Sequence, residues 1–221
     1  MKILAVEFSS EQRSVAIVEK LADGSAVVRG SANERGGRNA NAFALIEEAL
    51  RHAQMEREEI SCIAVGIGPG SYTGIRAAIA LAQGWQLARE IKLLGIGSVE
   101  CLAAQAHANG ICGRINFVID AQRNEFYLAG YEISDSGCHE IERLHLVTFA
   151  EAEKRIAEKQ IVMGPEATRL IAEAQNVFPE AKTLGKIACG KTNFVSGEKM
   201  EPIYLRETNF AKAPPPRVIS D

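Results

Sequence analysis

The chain has 221 residues, enough to bury a sizeable core either as one large domain or as two halves of about 100 residues each. Hydrophobic residues make up 47% and charged residues 24%, ordinary values for a soluble globular protein, and these exclude a disordered chain. A formal net charge of −3 excludes a general electrostatic footprint for nucleic acid, so any RNA contact would be local, around Arg29, Arg35 and Arg38 or around Lys199, Arg206, Lys212 and Arg217; each set reads first as a solvated face.

In chain order, strands are expected at 2–8, 13–20 and 25–32, a helix at 39–54, a strand at 61–67, a helix at 73–90, a short strand at 92–96 and a helix at 99–109. The opening MKILAVEFSSEQ carries one Lys and a short apolar run, so it reads as the first strand and not as a signal peptide. The second half repeats the order: strands at 115–120, 125–133 and 139–147, a helix at 149–158, a strand at 161–163 and a helix at 166–175. Two landmarks recur with it. Residues 3–18 and 116–131 both read as strand, acidic turn, strand, with Glu7 matching Asp120; 63–74 and 161–170 both end a short apolar strand in a glycine-containing turn that opens a helix. The duplicated order is that of the actin-like, ribonuclease-H-like α/β fold. Its two lobes would be 1–110 and 111–221, clamping a nucleotide between acidic hairpin turns.

Residues 65–84, VGIGPGSYTGIRAAIALAQG, break a buried strand into a glycine-rich turn and a helix of small residues. No Lys follows Gly74, so this is not a P-loop, and Ser71 stands where the dinucleotide fingerprint needs its third glycine. What remains is a tight turn in which Gly68, Pro69 and Gly70 reverse the backbone and Ser71 or Thr73 caps the helix. Together with ILAVEFSSEQRSVAI, IDAQRNEFY and EPIYLRE, the GPGSxTGxR element resembles the TsaB (YeaZ) family over nearly the whole chain. The resemblance implies a non-catalytic subunit of the complex that installs threonylcarbamoyl on the adenosine next to the tRNA anticodon. It also implies a TsaD-like transferase as partner, engaged through first-lobe helices, and a TsaE-like ATPase. The chain would be a homodimer when alone and would meet tRNA only through the complex. Departures are Glu7 where the family has Asp, no His near the start of the first long helix (RGGRNANAF), and Tyr72 for the more usual Phe.

The residues themselves argue against catalysis. Glu7, Phe8, Ser9 and Ser10 keep hydroxyls but no glycine where a phosphate loop needs one, and Asp120, Ala121, Gln122 and Arg123 repeat that lack, although Arg123 could meet an anion. Gly164 alone stands where the adenosine turn of such folds has a pair or triplet. None of His52, His107, His139 and His145 forms an i, i+4 pair, and GxSxG is absent. No catalytic residue, metal site or cofactor is therefore expected. The alternative is a self-sufficient actin-like ATPase or phosphotransferase with Glu7 and Asp120 holding metal; a third reading is a homodimer without a present role in the pathway. Five widely spaced cysteines (62, 101, 112, 138, 189) without a CxxC read as reduced, mostly buried thiols of a cytoplasmic protein. No apolar run approaches membrane-spanning length.

The helices at 39–54 and 73–90 present apolar or small residues on more than one face, which predicts a second buried surface beyond the chain's own core. Phe43, Ile46, Leu50, Ala77, Ala78, Leu81 and Gly84 are the expected dimer-interface residues. The proline run at 214–216 predicts an extended tail.

Overall fold

The computed structural model describes residues 1–36, 41–165, 167, 171 and 173–205. The first half builds a five-stranded sheet from β1 (Lys2–Glu7), β2 (Gln12–Lys20), β3 (Ala26–Arg35), β4 (Cys62–Gly66) and β5 (Lys92–Ile96), in the order β3-β2-β1-β4-β5. The second uses β6 (Gly113–Asp120), β7 (Glu125–Ser134), β8 (Gly137–Thr148), β9 (Ile161–Gly164) and β10 (Gln175–Asn176), in the order β10-β9-β6-β7-β8. Read from its other edge, the second order equals the first. In each sheet the first strand pairs antiparallel with the second and parallel with the fourth. The duplicated α/β order legible in the sequence is thus the observed topology.

The continuous apolar run of β1 follows from cover on both faces. Leu4 and Val6 pack under α1 (Ala42–Ala53) and α2 (Tyr72–Ala88), whereas Ile3 and Ala5 pack under α5 (Ala181–Gly190). Each fully buried Ile or Leu of this kind contributes about 1.5–3 kcal/mol. The helix α3 (Ser98–Ala108) leaves the first sheet and buries Val99, Leu102 and Ala106 against Phe117 and Ala129 of the second, while α4 (Phe149–Ala157) covers that sheet's other face through Ala152. The division near residue 110 separates the strands of the two sheets, but α3 and α5 each lie across it. Ala181 N donates to Ser14 Oγ of β2 (2.9 Å) and Gln105 Nε2 of α3 to the Phe178 carbonyl (2.9 Å), so the exchanged helices are also tied by hydrogen bonds.

Several sequence expectations are corrected. The sequence predicts no helix or strand beyond residue 175, yet α5 is there. The expected helix over 166–175 lies largely outside the described residues, and Gln175 belongs instead to β10, paired with Met163. Arg38, the start of the 39–54 helix, Arg206, Lys212, Arg217 and the proline run also lie outside the described residues. Arg29 and Arg35 are paired with Glu19 (2.8 Å) and Glu11 (3.0 Å), as solvated faces are. All five cysteines are free thiols, and only Cys112 is exposed.

Two helices end in the same hydrogen-bonded motif. Gln54 (φ 53) donates to Arg51 O while Met55 donates to Leu50 O; Lys159 (φ 59) donates to Ile156 O while Gln160 donates to Arg155 O. This pairing needs one left-handed residue, which an L side chain disfavours by about 1–2 kcal/mol. Gln54→Gly and Lys159→Gly are each expected to stabilise the chain by about 1 kcal/mol, less the added flexibility of the unfolded state. Chemical denaturation of the single and double variants checks both the sign and the additivity.

Candidate functional site

The glycine turn sits where β4 ends beside β1. Gly68 (φ 91) and Gly70 (φ 146) hold backbone conformations closed to side chains, and the Gly68–Pro69 bond is cis. Ser71 caps α2, its Oγ accepting from Gly74 N (3.4 Å). This turn is pressed onto the hairpin loop after β1: a Cβ on Gly70 would lie 2.1 Å from the Ser9 carbonyl oxygen, and one on Gly74 would lie 2.0 Å from that of Phe8. Ser71 N donates to Ser9 O (2.7 Å). Glu7, Ser9 and Ser10 are buried with Phe8. The structure therefore gathers Glu7, Ser9, Gly68, Gly70, Ser71 and Gly74 into one packed junction.

A phosphate would need free amides at this junction, and three of them are taken by the protein's own groups. Ser9 N donates to Glu7 Oε1 (2.7 Å), Ser71 N to Ser9 O, and Gly74 N to Ser71 Oγ. The space in front of Gly70 and Gly74 is filled by carbonyl oxygens, which repel an anion. These three amides and the two carbonyl oxygens disfavour a phosphate between the loop and the turn. Glu7 itself is wholly buried; burial pushes its carboxyl up to about 7, opposed by the Ser9 amide and the nearby Ser9 and Ser98 hydroxyls.

In the second sheet Asp120 makes the matching clamp, its Oδ1 accepting from Gln122 N (2.7 Å), but on an exposed hairpin. Gln122, Arg123 and Asn124 all take positive φ (64, 60 and 60) in place of a glycine turn. Gly164 ends β9 as Gly66 ends β4, and a Cβ there would meet the Val118 carbonyl oxygen at 1.8 Å. Its role in this structure is close strand packing. Among the described residues no group of three or more His, Cys, Asp or Glu could hold a metal ion. His52 is an exposed helix-end residue and His139 and His145 lie on the edge strand β8.

The expected interface residues divide between two faces. Ile46, Leu50 and Ala78 are buried in the first lobe's own core, so they are corrected from interface to core, and Leu81 is half-buried against it. Phe43, Ala77 and Gly84 are exposed. With Thr73, Ala80 and Leu87 the exposed residues of α2 recur at steps of four, three, four and three (73, 77, 80, 84, 87), the spacing of a helix-packing seam. Leu87 is 89% exposed and Phe43 65%.

Sequence reasoning missed what lies at either end of this stripe. The segment after α5 runs back along α2: Gly197 N donates to Gln86 Oε1 (2.7 Å), Gln83 Nε2 donates to Gly197 O (2.8 Å), and Ile203 N donates to Ile67 O beside the glycine turn (2.9 Å). Tyr204 then stacks on Tyr72 at 5.6 Å, with the Arg76 guanidinium 5.0 Å from the Tyr72 ring. Ile203 and Tyr204 of the EPIYLRE segment are the sequence trace of this contact. Ser98, buried and bonded to Ser9, carried no sequence signal at all.

The family model described as TsaD, tRNA N6-adenosine threonylcarbamoyltransferase, matches residues 39–213. TsaB of Escherichia coli K12, named a tRNA threonylcarbamoyladenosine biosynthesis protein, is 27% identical over 93% of this chain and 95% of its own length. The Bacillus subtilis protein of the same name is 26% identical over 72% of this chain and 67% of its own. A solved Pseudomonas aeruginosa structure named YeaZ has the same fold, with a TM-score of 0.73, 23% identity, and 92% of this chain and 99% of that one covered. Duplicated actin-like topology, the GPGSYTGIR turn and these likenesses agree, and the chain belongs to the family of the TsaD model and, within it, to the TsaB (YeaZ) proteins.

Proposed function

We propose that this chain is the non-catalytic, activating subunit of the assembly that forms threonylcarbamoyladenosine next to the tRNA anticodon. The observation that carries the reading is the junction at Ser9 and Gly70: the amides of Ser9, Ser71 and Gly74 are spent on the protein's own groups, while a helix stripe that the core does not need stands exposed. The relatives' names place those proteins in threonylcarbamoyladenosine biosynthesis. In this reading the stripe of α2 and Phe43 of α1 receive a TsaD-like transferase, a TsaE-like ATPase joins the pair, and tRNA is met only through the complex. Two copies pair through the same stripe when the chain is alone.

Reconstituted transfer tests this directly. Ser9→Ala, Asp120→Asn and Arg123→Ala are each expected to lower the rate by no more than about tenfold, or about 1.4 kcal/mol. If one of them eliminates transfer while the complex assembles normally, the subunit takes a direct part in the chemistry. Phosphate release by the isolated chain, abolished by Asp120→Asn, would establish the ATPase reading instead.

A further inference from the structure

We infer that Glu7 is a proton-operated latch between the lobes: neutral, it lets Ser9 and Ser98 close the junction, and ionised, it loosens the first turn of α3, the helix that crosses to the second sheet. Glu7 is 0% exposed, its Oε1 accepts from Ser9 N (2.7 Å), and among the described residues its Oε2 has no hydrogen-bond partner. Ser98 Oγ donates to Ser9 Oγ (2.8 Å) and Ser98 N to Gly68 O (2.7 Å), so the loop after β1, the glycine turn and the start of α3 form one connected polar junction. Gly66 leaves room for the carboxyl group, since a Cβ there would lie 2.0 Å from Oε2.

The surroundings offer a carboxylate only the Ser9 amide and the nearby Ser9 and Ser98 hydroxyls, which do not outweigh its burial. Opposite Glu7 stand Ser14 on β2, Gly66 on β4, and Ser98 with Cys101 on α3. The Cys101 thiol is pushed well up by burial and then by the Glu7 charge, so this pocket disfavours negative charge on either group. An ionised group left without a partner in a buried site is costly, and the site relieves that cost by holding a proton or by opening.

The sign follows from linkage. The folded carboxyl titrates at about 7 against an ordinary 4.5, so the native state binds the proton more tightly than the unfolded one. The contribution of Glu7 to stability is full below pH 4.5, falls as the pH rises from there to about 7, and is flat above. Replacing Glu7 by Gln removes that loss. The folding equilibrium of Glu7→Gln relative to wild type should improve by on the order of a hundredfold between pH 4.5 and pH 8.

The test uses the full chain with 13C-labelled glutamate. Carboxyl NMR should show Glu7 titrating near pH 7, and hydrogen exchange corrected for its intrinsic pH dependence should show the Ser98 and Cys101 amides losing protection through the same midpoint. In Glu7→Gln that loss should vanish. A Glu7 midpoint near 4.5, or protection at Ser98 and Cys101 that does not follow the titration, overturns the latch. If Glu7→Gln does not fold, the two wild-type measurements decide alone.

Discussion

Glutamate placed at both Ala80 and Gly84 is expected to abolish association with the transferase and to reduce reconstituted threonylcarbamoyl transfer to background. Both positions lie on the exposed stripe of α2, and Gly84 has no heavy atom within 4 Å of where its Cβ would stand, so the free chain accommodates the change. Glutamate at Gly84 even favours the helix by roughly 0.5–1 kcal/mol. Against a docked helix the same carboxylates would be desolvated without partners, at a cost of several kcal/mol, which is a hundredfold or more in Kd. Size-exclusion chromatography and calorimetry with the partner measure the loss, and a melting curve confirms the fold. Normal association and normal transfer by this variant would remove α2 from the interface. Ala78→Glu, four residues before Ala82 on the opposite side, is no substitute: Ala78 is completely buried and its variant reports on folding.

The second large effect is expected from one methyl group. Gly70→Ala should destabilise the chain by about 3 kcal/mol or more, because φ is 146 and the added Cβ would stand 2.1 Å from the Ser9 carbonyl oxygen. For a chain of this size that corresponds to a fall in Tm of about 6–12 °C. Gly84→Ala, in the same sequence motif, should raise Tm slightly. Thermal unfolding of the pair separates a glycine required by geometry from one that is not; a Gly70→Ala melt within 2 °C or so of wild type would mean that the turn relaxes freely.

The contrast between these two glycines shows what the sequence could reveal. Period-two alternation and short apolar runs locate the strands, and the repeated order of elements marks the duplication, but the pairing of β1 with β4 and of β6 with β9 is visible only in the structure. Three-and-four spacing identified which residues of α1 and α2 share a face, but not which face meets the sheet. Spacing alone therefore allows Ile46, Leu50 and Ala78 to face outward, although they form the core. The helix α5 was hidden by its own glycines. Gly185 stands so close to Val18 that a Cβ would approach it at 2.4 Å, so the residue that lets the helix dock is also the one that weakens its helical signal. Burial of Glu7 was equally illegible, since it depends on Ser98 and Cys101, more than 90 positions away.

The exchange of α3 and α5 also bears on how the polypeptide emerges from the ribosome. The first sheet is complete in strands once Ile96 has been made, but the cover for Ile3, Ala5, Val18 and Leu94 arrives only with Ala181–Gly190. Eighty-five residues separate Ile96 from Ala181, and at about 5–20 residues per second that interval lasts about 4–17 s. During it a nascent apolar surface is open to the chaperones that bind such stretches. A chain truncated before residue 181 should remain in that state and partition into aggregates or chaperone complexes instead of accumulating as a free half-molecule.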